Sequence, residues 1–234
     1  MVKPRPWVII SNQSHRARDV FIEVDWIETS KSLPTHVRTK LMNVFDKAPV
    51  NNPDGSRGVD LHIDMDEEVP TNTDFLKTEN VNGSLNDICD FRERYFTSER
   101  EDTHYYALLT RFVETDEEIL GGVAVSGVFS VSTYIRFDDG EQFLDADKSI
   151  GTTFIHELGH ALGLDPLDFG GIDSENYSYG EYPSVMNYNS LNDRIKVGET
   201  SGYYYYSYSS ETYRYSSGGV FDDWAHLAKG FEEP

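Results

Sequence analysis

His156, Glu157 and His160 are the residues of this chain whose types and spacing can do chemistry. On a helix, positions four apart share a face, so both imidazoles can aim a nitrogen at one metal ion. Glu157 lies beside them, placed to act on a metal-activated water rather than to ligate. The chemistry of such a trio is metal-assisted hydrolysis. An H-E-x-x-H string also occurs by chance in unrelated helices, so its surroundings carry weight. At 100° per residue, Ile150, Phe154, Leu158, Ala161 and Leu162 cluster on one side of the helix, with His156 and His160 roughly opposite. One face is therefore expected to pack on a core and the other to face a cleft. Gly163, three residues past His160, can end the helix in a left-handed turn and swing the chain back.

The elements that must position this helix are legible upstream. Val20 to Ile27 reads as a strand, Thr35 to Phe45 as a helix with Pro34 near its start, and Val59 to Asp64 as a second, cleanly alternating strand. The turn residues NNPDGSRG separate the last two. Residues 66–86 are acidic and polar, and read as a surface loop with a short helix at most. Asn86 to Tyr95 is expected to be helical, and Tyr105 to Val113 to be a buried strand. Gly121 to Thr133 is a glycine-punctuated strand or strand pair that could pair with an extended peptide, or else lie inside the core. Beyond Gly163 the pattern loses periodicity, apart from Val185 and Met186, until a short helix at Phe221 to Lys229. The seven tyrosines between Tyr203 and Tyr215 read as an adaptable surface loop, with a specificity wall as the alternative. The expected class is α+β: an upper lobe over 1–163 with a mixed twisted sheet plus helices, and an irregular lower lobe over 164–234 with a C-terminal helix, together one catalytic domain.

Composition narrows the partners. Of 234 residues, 41 are acidic and 20 basic, a net charge of −21, and such a surface repels nucleic acid and anionic membranes. Only 8 of the basic residues are Lys. A dense carboxylate surface poor in Lys suits concentrated salt, where self-repulsion is screened, so a haloadapted protein is expected. Cys89 is the only cysteine, which excludes an intrachain disulfide and a cysteine-based zinc cluster. Its neighbours Ile88 and Phe91 suggest a buried structural thiol. His62 and His226 read as surface or structural histidines. No apolar run reaches membrane-span length, and the four apolar residues Trp7 to Ile10 are too few for a signal peptide. A cytoplasmic protein is the default expectation, with a mature secreted domain as the alternative.

The helix ending HELGHALG, together with the later Ser184-Val185-Met186-Asn187-Tyr188, resembles the metzincin clan of zinc peptidases, with its HExxHxxGxx(H/D) helix and downstream Met-turn. NPDGSRGVDLHID, the Gly-Thr-Thr-Phe-Ile run, YPSVMNY and DDWAHL extend the likeness over roughly residues 20–230 to a microbial branch. The resemblance implies that Met186 forms a hydrophobic base under the metal and that Tyr188 reaches the zinc or the oxyanion.

Where the clan has a third ligand, three residues after the glycine, this chain has Pro166. A catalytic zinc typically takes three protein ligands plus water. Asp165 is nearest, one residue early and restricted to extended geometry by Pro166. Asp168 follows and precedes Phe169-Gly170-Gly171, a shifted counterpart of the clan's His-Gly-Gly. Asp173 requires a longer loop. The third ligand is expected from Asp165 or Asp168, and a site with no third protein ligand is the remaining case.

The expected function is a zinc-dependent endopeptidase, monomeric, acting on a peptide or protein substrate with Glu157 as general base. One alternative is a catalytically inactive, zinc-stabilised peptide- or protein-binding module. Another is a peptidase kept latent by Asp165 or Cys89 in the open position.

Overall fold

Val20, Ile22 and Val24 alternate with Phe21, Glu23 and Asp25 along the first strand, and this period of two assigns each set to one face of a sheet. The computed structural model describes residues 18–70, 75–77, 86–114, 119–137, 140–143, 149–178, 181–189 and 221–230. Its strands are β1 (Arg18–Ile27), β2 (Val59–Val69), β3 (Phe75–Lys77), β4 (His104–Thr110), β5 (Phe112–Glu114), β6 (Ile119–Leu120), β7 (Gly122–Val125), β8 (Val128–Ser132), β9 (Tyr134–Phe137) and β10 (Gly140–Phe143). The helices are α1 (Thr35–Asp46), α2 (Asn86–Tyr95), α3 (Gly151–Ala161) and α4 (Asp223–Gly230), with a 3-10 turn at Ser98–Arg100. This mixture of sheet and helices agrees with an α+β class.

The main sheet runs β2-β1-β4-β8-β7. β1 pairs parallel with β2 and β4, and β4 with β8; β7 returns antiparallel to β8 and forms an edge. The parallel strands are covered on both faces, as parallel strands generally are. On one face Val20, Ile22, Val24, Ala107, Leu109, Phe129 and Val131 pack with residues of α1, α3 and α4. On the other, Ile27, Tyr106, Leu108, Val113 and Val128 pack with Ile88 of α2. Two further pairings lie outside the main sheet, β3-β5-β6 and β9-β10.

Glu23 and Asp25 are acids on the α2 face of β1, and both are fully buried. Burying a carboxylate demands partners, and each has them. Glu23 accepts from Arg100 at 2.8 Å and from the Thr97 backbone N–H at 2.9 Å. Asp25 accepts from the Tyr106 hydroxyl at 2.9 Å and from the Glu67 N–H at 3.2 Å. Burial pushes the Asp25 carboxyl up to about 6, against the Tyr106 and Glu67 hydrogen bonds, with Glu23 and Asp66 adding to the rise.

Several expectations change here. β2 continues to Val69 and β3 follows at 75–77, where a surface loop was expected, because Val69 is itself fully buried. Cys89 is exposed rather than buried. Adjacent helical residues differ by about 100° in direction, and Ile88 takes the inward position. Its helix also packs on the sheet face opposite α3, so Cys89 is remote from the histidines and does not fill a metal position. The N-terminal apolar stretch Trp7 to Ile10 and the tyrosines Tyr203 to Tyr215 lie outside the described residues. Among the described residues, no helix is long and apolar enough to cross a membrane.

Candidate metal centre

Helix α3 packs along β7 and β8 through its apolar side, where Phe154 meets Phe129 edge-on with ring centroids 5.0 Å apart. Its end is set by a pair of backbone bonds: Leu164 N–H to Gly159 O and Gly163 N–H to His160 O, both 2.9 Å. Gly163 has φ of 108°, which a side chain would strain. This is the reversal expected at that glycine, and it returns Leu164 into the core.

The two histidines are oriented from behind. His160 Nδ1 donates to the Leu164 carbonyl at 2.7 Å, and His156 Nδ1 donates to the Val185 carbonyl at 3.0 Å. A carbonyl only accepts, so each Nδ1 carries a proton, and in the neutral tautomer this leaves Nε2 as the forward-facing ligand atom. Those two Nε2 atoms are 3.2 Å apart. The third group is Asp173, with Oδ1 3.1 Å from His156 Nε2 and 3.2 Å from His160 Nε2. Three potential ligand atoms thus form a near-equilateral triangle. A cation is what such a triangle can hold. For tetrahedral zinc, bonds of about 2.0 Å place ligand atoms roughly 3.3 Å apart, and the triangle fits that face.

Asp173, rather than Asp165 or Asp168, completes the cluster. Asp165 spends its Oδ1 on the Leu167 N–H at 2.8 Å, closing an exposed turn over Pro166. Asp168 points to His226, with Oδ2 to Nε2 at 3.5 Å. The chain then runs on to buried Ile172 before turning back. At Gly171 a Cβ would lie 2.4 Å from the Phe169 ring, so only glycine lets that ring fold over the loop. Asp173 itself adopts φ of 53°, a left-handed conformation that Asp tolerates better than most residues. Its N–H donates to the Met186 carbonyl at 2.9 Å.

The charges settle around this triangle. Burial works against the charge on His156, but donation from the protonated ring to the Asp173 carboxylate and the nearby Glu157 and Asp173 charges outweigh it, so His156 titrates above its ordinary value. For Asp173, burial is outweighed by the hydrogen bonds and charges of the two histidines, which hold it well below the usual carboxylate range. Glu157 behaves oppositely: burial pushes its carboxyl up, and the two imidazoles offset this only in part. It is 7% exposed, not the solvated helical acid its type would suggest. The edge strand β7 lies against it, and a Cβ on Gly122 would stand 2.7 Å from Glu157 Cγ and 2.8 Å from Oε1. Gly122 is a site residue that motif reasoning did not single out.

Met186 is fully buried in the main core, and Tyr188 lies beside the site with its ring stacked on His156 at 5.7 Å and 39% exposed. His62 pairs with Asp19 at 2.8 Å and stacks on Phe21, away from the triangle. A second acidic group, Glu23, Asp25 and Asp66, lies on the α2 side of the sheet, with Arg100 bridging it.

No protein-family model matches the chain, and no curated protein matches it.

Proposed function

We propose that this chain is a zinc-dependent endopeptidase of metzincin type, with His156, His160 and Asp173 as its metal ligands and Glu157 as its general base. The observation that carries the reading is the triangle of potential ligand atoms at tetrahedral spacing, with a buried carboxylate whose proton affinity is raised lying next to it on the same helix. Two imidazoles and one carboxylate suit zinc as a ligand set with a position to spare. Held by His156, His160 and Asp173, a zinc ion would supply Lewis acidity toward a peptide carbonyl and toward a water, whose pKa such a site brings to about 7. Glu157 would take the proton from the attacking water and pass it to the leaving amine, and burial, by raising its proton affinity, favours that acceptance. Tyr188, stacked on His156, is the candidate hydroxyl donor to the oxyanion. β7 supports the peptide part of the reading, because its outer edge has no strand partner among the described residues and an extended substrate can add there. Glu157 would then lie against the backbone of the strand that holds the substrate.

A non-catalytic binding module was the alternative when a third ligand had no obvious source. Asp173 now provides a candidate, and that weighs for catalysis. The clan's two-lobed division at Gly163, a monomeric state and a haloadapted surface belong to the same proposal.

The test is cleavage of a mixed peptide library. Activity abolished by a chelator, restored by zinc, and reduced at least about 100-fold by Glu157→Gln with zinc retained supports the reading. A Glu157→Gln protein that cuts at the parent rate refutes the role of Glu157.

A further inference from the structure

Asp223 opens helix α4 and is fully buried, far along the chain from the HELGH helix. A buried carboxylate is costly unless it is fully hydrogen-bonded. Both of its oxygens are engaged by one segment: the Tyr182 hydroxyl donates to Oδ1 at 2.6 Å, and the Ser184 hydroxyl donates to Oδ2 at 2.5 Å. Ser184 Oγ, its proton committed to Asp223, accepts the Met186 N–H at 3.0 Å. The turn held in this way is the one that supplies the metal centre with two carbonyls. Val185 O takes the Nδ1–H of His156, and Met186 O takes the backbone N–H of Asp173. Two of the three candidate ligands are therefore oriented by a peptide segment whose own position depends on Ser184 and Asp223.

We propose that Asp223 is a positioning residue for the metal centre, acting through Ser184 to fix the carbonyls that orient His156 and Asp173. The relay has a direction that hydrogen-bond chemistry imposes. A carboxylate accepts both hydroxyl protons, which leaves the Ser184 oxygen lone pairs free for the Met186 N–H. An amide in place of Asp223 presents an NH2 group to one of the two hydroxyls. If Ser184 receives that donor, its own proton must turn elsewhere and compete with the Met186 N–H. An acidic side chain at the first position of α4 also suits the helix N-terminus. Tyr182 shares the carboxylate and its hydroxyl also hydrogen-bonds with the Ser184 side chain, but the Ser184–Met186 bond does not run through it, so Tyr182→Phe chiefly reports the anchoring of α4.

This inference rests on the metal reading above but not on peptide cleavage. It is tested by zinc affinity, through competition with a chromophoric chelator, and by the visible spectrum of the cobalt(II)-loaded protein. The variants are Ser184→Ala, Asp223→Asn, the two combined, and Tyr182→Phe. Outer-shell partners of metal ligands typically change affinity by about 10–100-fold. Ser184→Ala and Asp223→Asn are each expected to weaken zinc by about tenfold or more and to shift the cobalt bands, and the double variant should lose no more than the weaker-binding single. Tyr182→Phe should lower the melting temperature while leaving zinc affinity within about twofold of the parent. Should Asp223→Asn fail to fold, Ser184→Ala set against Tyr182→Phe carries the same comparison. Parent-like zinc affinity in Ser184→Ala overturns the relay, as does a double variant whose loss is the product of the two singles. A parent protein that holds no zinc overturns the metal reading and this inference with it. A parent that binds zinc without cutting peptides leaves the comparison of affinities fully decisive.

Discussion

Asp173→Asn is the substitution that separates the proposed third ligand from its neighbours. Asn keeps the shape of Asp and tolerates the left-handed φ of 53°, so the turn survives while the charge is lost. Asp173 Oδ1 lies 3.1 and 3.2 Å from the two imidazole nitrogens, the distance expected of a fellow ligand. Loss of an outer-shell partner already costs about 10–100-fold in metal affinity. Removal of a direct anionic ligand should therefore exceed about 100-fold, or ~2.7 kcal/mol. Asp165→Asn and Asp168→Asn change the net charge by the same amount, but Asp165 closes the Pro166 turn and Asp168 faces His226. Each is expected to stay within about threefold of the parent. Zinc affinity is read by competition with a chromophoric chelator at fixed pH and salt. Parent-like affinity in Asp173→Asn, or a loss concentrated in Asp165→Asn or Asp168→Asn, would refute the assignment.

Gly122→Ala puts a methyl group 2.7 Å from Glu157 Cγ and from the Ser130 carbonyl. Peptide hydrolysis should fall by at least about tenfold with zinc still bound, since a displacement of about 1 Å at a reacting group is costly; unchanged hydrolysis would show that β7 does not constrain the base. Asp25 is raised from 3.8 to about 6 in the folded protein, so the native state binds its proton more tightly than the unfolded chain. Its contribution to stability is complete below about pH 4 and is lost as pH rises through about 6, a change of roughly 3 kcal/mol at most. Asp25→Asn should flatten that part of the pH dependence relative to the parent, as read by denaturant unfolding at pH 4, 5, 6 and 7; parallel curves for the two proteins would contradict it. With a net charge of −21, the fold should gain stability as KCl rises from 0.1 to about 2 M, where charge repulsion is screened; a melting temperature indifferent to KCl would remove the haloadaptation reading.

The regular elements were legible because local pattern and tertiary role agree in them. Asn86–Tyr95 and Thr35–Asp46 are helices where apolar periodicity predicts them, and Gly163 ends α3 with the two backbone bonds its position implies. The Gly121 to Thr133 segment reads as a strand or a strand pair, and the structure makes it a pair, β7 and β8, joined at Ser126-Gly127. Both residues take positive φ, 44° and 84°, as a tight two-residue hairpin requires. Cys89 is exposed although its neighbour Ile88 is buried, because adjacent helical residues point in different directions.

Asp173 was hardest to read for a different reason. Motif spacing counts residues from Gly163, but the return of this loop is set by anchors that only the folded chain supplies. Ile172 inserts into the core, Phe169 folds over Gly171, and the Met186 carbonyl captures the Asp173 N–H. The same limit applies to Asp223, whose partners Tyr182 and Ser184 lie 41 and 39 residues away along the chain. His156, Glu157 and His160 needed no such help, since one helix places all three.

The most direct measurement is a zinc-edge anomalous difference map from crystals of the zinc-loaded protein. A single strong peak is expected about 2.0–2.2 Å from His156 Nε2, His160 Nε2 and Asp173 Oδ1, with Glu157 near but unbound. A peak coordinated by Asp165 or Asp168, or no peak between the two histidines, would contradict it.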